Sequence, residues 1–553
     1  MSRTLFFYIF KDLVRIFLLT SGALAGIMSF GGLLRPLTEH GLDASQATKM
    51  LGYFMPAMTT YSLPIAALFA TTMVYGRLAA DNELTACRAV GISYASIGLP
   101  AIVLGLLVAL ASLLFLCFIV PVATLKVERI IYSNLAQLIS NQIDRTHQIK
   151  FNDTTIFAQE ASVAPDDPKH PDDQMVSLGG LMIVSYRKMD SEIDNTPSLQ
   201  VPKEFYLARQ ATIFIRRASD GEFTLEAKLE EPGGAMFPRS FMLAQGRQGG
   251  LQTTEYGPIV MDSLINEQTK FMDIRRLHEL YLDLSKGKKV QEQVQRIARS
   301  AQEAAYLREI EKAMAIPGGT FRFNAGAEQY DLVSPRGGAA LVGGKLVVTP
   351  ARVTQTRDGK NQFTWDAAQV ELSARPIAGD QLSVQAQLHD VIAQTPEGPT
   401  PRASFIRSFV VPMPPELEEF EHRELDFYRR AEAATPEEGA LLQRELYRLG
   451  NGIQSEMHSR ASFAVSCLIL VVVGCCLGMM FRSGNFLTAF ALSVIPALIC
   501  IALIVAGQHT CENIPWKLEN FQNPLHLGLA LIWSGNAAVF ALAVALTWRL
   551  QRQ

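Results

Sequence analysis

No cysteine falls between Lys126 and Arg460, although that stretch is more than half of the 553 residues. All seven cysteines, Cys87, Cys117, Cys467, Cys475, Cys476, Cys500 and Cys511, lie on either side of it. That excludes a disulfide framework for the central stretch, whose fold must rest on its own core. The adjacent Cys475-Cys476 pair reads as small buried thiols packing between helices rather than as a metal site. An excess of charge of one sign is missing too. The 50 Lys+Arg and 53 Asp+Glu leave a net charge of -3, which gives no footing to a nucleic-acid partner. Two chemical motifs are begun and not finished. Gly343-Gly344-Lys345-Leu346 ends like a phosphate-binding loop, but Ala339 replaces the leading glycine and Leu346 the Ser/Thr. The backbone cradle and the magnesium hydroxyl are both absent, and a hairpin turn is the better reading. His278-Glu279 opens like a zinc-protease helix, yet Leu282 stands where the second His is needed. No Ser/His/Asp or Cys/His set occurs at local spacing. The residues therefore predict no catalytic group, no metal, no cofactor and no nucleotide site in this chain.

What is abundant is apolar residue, at 49%, concentrated in residues 1–125 and 460–548 around a polar, charged block. Six runs are long enough to cross a hydrocarbon core of about 30 Å. They lie at about 16–34, 54–76, 97–123, 461–481, 486–506 and 527–547, three plus three. Ala23-Leu24-Ala25 imitates a signal-peptidase site, but the apolar run continues to Leu34, so the first run reads as a span. With a cytoplasmic N-terminus, the inner flanks hold Arg3, Lys11, Arg15, Arg77, Arg88, Arg482, Arg549 and Arg552. The opposite short loops hold only Arg35, Lys49 and Lys517. Lys126, Arg129 and Arg460 flank the central block, but long domains translocate regardless of such charges. This places both termini inside and the block outside.

The central block reads as β-rich with helical connectors. Phe223, Leu225, Ala227 and Leu229 alternate with polar residues, as do Leu382, Val384, Ala386 and Leu388, and more briefly Ala211, Ile213 and Ile215. Period two marks strands with one buried face. Asp358-Gly359 is a hairpin turn, while Asp166–Asp173 and Asp190–Pro202 read as loops. Residues 274–315 and 415–457 read as helical, with Leu277, Leu280, Leu284 and Ile297 on one face of the first. Thr435-Pro436-Glu437-Glu438 is a capping-box start. The resulting domain division is 1–125, 126–272, 273–316, 317–412, 413–460 and 461–553: first membrane half, outer β domain, helical connector, second β-rich insertion, helical connector and second membrane half.

Between the second and third spans lies Gly76–Ser93, GRLAADNELTACRAVGIS, with charges of both signs. Asp81 suits an N-cap, Glu83 the first turn, and Gly91 a left-handed stop, so a surface helix over about 82–90 is expected. Leu84, Cys87 and Val90 would form its weak apolar face. Such a helix serves either as a solvated connector or as the place where a soluble partner moves the two flanking spans.

These features together resemble a family. Leu78-Ala79-Ala80-Asp81-Asn82-Glu83-Leu84-Thr85 through Arg88-Ala89-Val90-Gly91-Ile92-Ser93 is similar to the coupling-helix segment of the lipopolysaccharide export permeases LptF and LptG. His458-Ser459-Arg460 and Gly474–Gly478 resemble the start of their second membrane half. The chain departs at Cys476-Leu477-Gly478, where the family tends to have Pro-Leu-Gly, and is longer than a usual member. The resemblance is weak from about Ala301 to Pro415. It implies a six-helix membrane protein with a large extracytoplasmic, jellyroll-like β domain inserted between the third and fourth helices, in the inner membrane. It implies a cytoplasmic ABC ATPase dimer as motor, a paralogous permease subunit or second copy, periplasmic bridge proteins, and lipopolysaccharide or a related lipid as cargo. Glu83, Asp81, Leu84 and Arg88 would couple to the ATPase, and Arg35 and Glu39, just past the first span, would meet the lipid. A permease for a different lipid or lipoprotein, a membrane-anchored β-domain scaffold, and a lipid-acting membrane enzyme using His509 and Glu512 are the other readings of the residues.

Overall fold

A computed structural model describes residues 3–40, 44–133, 135–151, 154–164, 174–189, 199–217, 223–230, 233–236, 253–261, 268–325, 328–342, 344–357, 360–377, 381–395, 398–402, 405–418, 420, 423–430, 435–480, 486–515 and 522–552. The Asp166–Asp173 loop, the Asp358-Gly359 turn, Arg482 and Lys517 lie outside these residues. The chain divides into two compact units. One comprises Met1–Glu279, Gly452–Cys511 and Pro524–Gln553; the other comprises Leu280–Asn451 and Glu512–Asn523.

Among the described residues, six helices of the first unit contain stretches long and apolar enough to cross a membrane. They are α1 (Arg3–His40), α2 (Ala44–Ala80), α4 (Tyr94–Leu114) with its continuation α5 (Val120–Ser133), α11 (Pro436–Met480), α12 (Phe486–Glu512) and α13 (Leu525–Arg552). A short helix, α3 (Glu83–Ala89), stands between α2 and α4. Each spanning helix is longer than its apolar run, because polar residues at the ends still make the helical ladder. α11 merges the predicted connector with the fourth span, and its first turns belong to the second unit. Its capping box forms as expected. The Glu438 N–H donates to Thr435 Oγ1 at 3.3 Å, and the Thr435 N–H donates to Glu438 Oε2 at 3.1 Å.

Two helices form the centre of this bundle. The apolar windows of α2 and α11 are 72% and 67% buried, against 24–28% for the other four. They meet through glycine. A Cβ at Gly474 would lie 2.9 Å from the Leu68 carbonyl oxygen, and one at Gly478 would lie 2.8 Å from that of Thr72. Small residues at such spacing let two backbones approach. α12 and α13 use the same device, since a Cβ at Gly507 would lie 2.6 Å from the Gly528 carbonyl oxygen. Asn536 adds a polar tie, donating to the Ser462 carbonyl and hydroxyl oxygens, each at 2.8 Å. α4 and α5 are joined by a π-helical turn, Phe115–Ile119, in which the Val120 N–H donates to the Phe115 carbonyl.

α6 (Leu135–Thr146) leads into the first sheet, which is antiparallel and eight-stranded. Its strands are β1 (Gln148–Phe151), β2 (Thr154–Phe157), β3 (Glu160–Val163), β4 (Gln174–Met189), β5 (Leu199–Arg217), β6 (Phe223–Glu230), β7 (Gly233–Met236) and β8 (Thr253–Met261). The main path runs β1-β2-β4-β5-β6-β8, with β3 on β4 and β7 on β5. Ala211, Ile213 and Ile215 of β5 and Leu225, Ala227 and Leu229 of β6 are buried, as their alternation predicts. They pack in one core with Ala136, Ile139 and Ile143 of α6. The expected loop over Asp190–Pro202 is overturned at its end, because β5 begins at Leu199. Pro202 is accommodated opposite Tyr186 at a register shift, where a strand can spare an N–H.

The second unit holds a nine-stranded sheet. Its strands are β9 (Gly319–Ala325), β10 (Glu328–Ser334), β11 (Ala339–Val342), β12 (Lys345–Val348), β13 (Ala351–Arg357), β14 (Lys360–Ile377), β15 (Gln381–Thr395), β16 (Gly398–Arg402) and β17 (Phe405–Pro412). The path is β11-β12-β14-β13-β10-β9, and β15 joins β14 to β16 and β17. β14 is long enough to pair with both β13 and β12 on one side while β15 occupies the other. Leu382, Val384, Ala386 and Leu388 face the core, as predicted, with Leu307, Ile310 and Met314 of α8 (Lys288–Met314) across from them. Burial beside these residues pushes the Tyr306 phenol up to about 12. Cross-strand ion pairs line the sheet, Arg322 with Asp331 and Arg352 with Asp366, both at 2.6 Å. The hydrogen bond from Arg352 holds the Asp366 carboxyl below the usual carboxylate range. Val342 pairs with Lys345 and Gly344 takes φ +78°, as a hairpin connection requires, while Gly343 lies outside the described residues.

The single helical stretch expected over 274–315 is broken. α7 (Ile274–Leu282) ends at Asp283, whose carboxylate accepts from the Ser285 N–H at 3.0 Å and hydroxyl at 2.6 Å. The Ser285 side chain and backbone lower the Asp283 pKa. Gly287 then starts α8 where a Cβ would lie 2.4 Å from Leu449 Cδ2. Two four-residue helices, α9 (Pro415–Glu418) and α10 (Leu425–Tyr428), precede α11.

Candidate functional site

The segment after α2 turns sharply. The Asp81 N–H donates to the Arg77 carbonyl at 2.9 Å, and Asn82 takes φ +57°. Asn tolerates this left-handed conformation better than most residues. The N-cap position of α3 is therefore Asn82, not Asp81, and no side chain caps it. The helix is shorter than expected at both ends, Glu83–Ala89. Its C-terminus closes as the sequence suggests. Gly91 takes φ +83°, its N–H donates to the Arg88 carbonyl at 2.8 Å, and the Ile92 N–H donates to the Cys87 carbonyl at 3.1 Å. This is a Schellman closure, with the positive φ falling on glycine.

One side chain seats α3. Leu84 is 7% exposed and shares a core with Ile9 and Leu13 of α1, Val74, Leu78 and Ala79 of α2, Ile97 and Ala101 of α4, Met479 of α11 and Leu550 of α13. Cys87 packs at the edge of the same core. Val90 does not complete the predicted apolar face. It is 82% exposed, because the chain leaves the helical spiral there to make the Schellman turn. Asp81, Thr85, Ala86, Arg88, Ala89 and Val90 are all exposed, and Glu83 is half-buried.

The charged residues of the segment are not equivalent. Arg88 Nη1 donates to the Tyr94 hydroxyl at 2.8 Å, and its guanidinium lies 4.4 Å from that ring's centroid. Arg88 thus ties the end of α3 to the start of α4, a role that its spacing alone did not reveal. Arg77, in the last turn of α2, pairs with Asp12 of α1 and lies close enough to Glu83 for the two charges to act on each other. Arg35 and Glu39 belong to the last turns of α1, and their side chains lie outside the described residues. His509 and Glu512 stand at the end of α12. Among the described residues no three His, Cys, Asp or Glu side chains gather as a metal site.

No curated relative matches the chain. Residues 7–227, which hold α1 through β5 and the start of β6 with the α3 segment among them, match the model of the family described as lipopolysaccharide export system permease LptF/LptG.

Proposed function

We propose that the chain is a permease subunit of an ABC-type complex that draws lipopolysaccharide from the inner membrane and passes it to a periplasmic bridge. The carrying observation is the construction of α3. It is seated on a core shared by five spanning helices through Leu84, while most of its surface is free for a partner. A push on such a helix is delivered to the bundle rather than absorbed by a loop. In this reading Asp81 and Glu83 form the docking face for a cytoplasmic ATPase dimer, Leu84 couples that face to the bundle from beneath, and Arg88 keeps α3 aligned with α4. Both termini are cytoplasmic, the first sheet is a periplasmic jellyroll that receives acyl chains, and a paralogous subunit or second copy completes the lipid cavity. The chain then contributes to outer-membrane assembly without catalysing a reaction itself. The purified chain is expected to turn over no ATP alone and to stimulate, or be required for, turnover by a separate nucleotide-binding subunit. ATP hydrolysis by the single chain would refute this.

Arg35 and Glu39 are proposed to stand at the lipid's entrance. An Arg just beyond the outer end of a span can reach a phosphate with its bidentate fork. A photocrosslinker at position 35 is expected to capture lipopolysaccharide. Capture from neighbouring outer-face positions but none from position 35 would remove Arg35 from the pathway.

A further inference from the structure

A buried ion pair sits in α11 where the chain leaving the first sheet crosses it. Arg460 and Glu456 have side chains only 2% and 6% exposed, with Arg460 Nε donating to Glu456 Oε1 at 2.7 Å. Gln508 of α12 donates to the other carboxylate oxygen at 2.9 Å. The second arm of the guanidinium turns away from this pair. Arg460 Nη2 donates to the Met272 carbonyl at 2.7 Å and lies 3.5 and 3.4 Å from those of Thr269 and Lys270. These three carbonyls belong to a strap, residues 268–272, with a 3₁₀ turn at Thr269–Phe271. β8 ends at Met261, so the strap is the first described piece of chain after the first sheet. About two helical turns before Arg460, Gly452 makes room for it: a Cβ there would lie 3.2 Å from Thr269 Cγ2 and 3.9 Å from Thr269 Cβ.

Burying a charged pair is costly, and an apolar pair of similar volume would hold α11 in the bundle as well or better. What an apolar pair could not do is grip three backbone carbonyls. We infer that Arg460, oriented by Glu456, is a positioning residue that clamps the strap to the fourth spanning helix, so that displacement of this helix is transmitted to the first sheet. The inference rests on the export reading above, because it concerns how that work reaches the outer domain. The first sheet is then governed from two ends, by α6 at its entry and by α11 at its exit.

The test separates grip from packing. Glu456→Gln with Arg460→Met removes both charges together and leaves Gln508 a partner. This double variant is expected to reach the membrane at the wild-type level and keep its ATPase, but to lose lipopolysaccharide delivery to the cell surface. Cysteines at Thr269→Cys and Gly452→Cys, placed on the wild-type background, have the Cβ separation that a disulfide needs. No native cysteine lies between Lys126 and Arg460 to compete in the strap. Their initial rate of disulfide formation should fall roughly tenfold or more in the double variant, the equivalent of losing a charged hydrogen bond. Once formed, the disulfide should restore delivery to the double variant, and reductant should abolish it again. Normal delivery without the charges, an unchanged disulfide rate, or a disulfide that forms and rescues nothing would each overturn the clamp. Should the double variant fail to fold, the disulfide on the native background decides: delivery is expected to persist when the strap is locked, and its loss would mean that the strap must detach. If the wild-type chain delivers no lipid, the export reading fails, and the disulfide rate, which needs no lipid, still decides the clamp.

Discussion

Glu83→Ala is expected to release the ATPase while leaving membrane insertion and both sheets intact. Nothing in the fold is built on the Glu83 carboxylate. Leu84 seats α3, and Gly91 and the Arg88–Tyr94 contact close it. Glu83 is half-buried beside the free surface of α3, where a partner's Arg or Lys would desolvate it on docking. A charge-assisted hydrogen bond of this kind contributes about 1.5–3 kcal/mol. Its loss would weaken docking roughly ten- to a hundredfold. Arg77 already has Asp12 as its partner, so it does not depend on Glu83 for neutralisation. The measurement is co-purification of the ATPase with tagged chain, together with lipopolysaccharide delivery in cells. Leu84→Asp should have the same functional outcome by a different route, lifting α3 off its core, and should also lower thermal stability in detergent. A Glu83→Ala chain that keeps its ATPase and delivers lipid normally would reduce α3 to a connector, and the scaffold reading would take precedence.

The second large effect is structural. Gly478→Leu should destabilise the bundle because its Cβ alone would meet the Thr72 carbonyl oxygen at 2.8 Å, Tyr75 Cβ at 3.0 Å and the Gly76 nitrogen at 3.1 Å. Two of these three are backbone atoms of α2, which cannot rotate away as a side chain can. α11 must retreat from α2, and overpacking of this kind costs about 1–3 kcal/mol. Because α2 leads directly into α3, the same retreat should disturb ATPase docking. Gly22→Leu on α1 is the control. Nothing lies within 4 Å of a Cβ at Gly22, so this substitution should leave thermal stability unchanged. Equal melting temperatures for the two variants would show that the α2–α11 contact is not a close one in the membrane.

The parts of this architecture that rest on local periodicity were legible in the residues. Ile213 and Ile215, Leu225 and Leu229, and Leu382 to Leu388 declared their buried faces by alternation, and Thr435 and Glu438 declared a helix start. What could not be read depended on partners distant in the chain. Val90 has the spacing to join Leu84 and Cys87, but the turn at Gly91 takes it outward. Arg88 looked like a charge offered to another protein until Tyr94 was found beneath it. Glu456 and Arg460 stand four residues apart, an ordinary spacing for an exposed helical pair, and only the strap arriving from residues 268–272 makes them buried and unusual. The break at Asp283–Gly287 carried a signal, an Asp followed by Ser two residues later and then Gly, that helical periodicity on both sides concealed.

The π-helical turn in the third spanning helix sets a phase. Before it, the buried positions run Ile97, Ala101, Leu104, Val108 and Ser112; after it they run Cys117, Val120, Ala123 and Val127. An unbroken α-helical count from Ser112 would have brought residues 119 and 126 inward, one short of Val120 and Val127. The extra residue turns everything that follows by about 100°, and Pro121, which has no N–H to give, is the second residue after the turn. The two halves of this helix thus address their neighbours in two different registers. A residue gained or lost before Phe115 would rotate the half whose Gly98 and Gly105 face α11, whereas the same change after Ile119 would rotate only the half that carries the chain towards α6 and the first sheet.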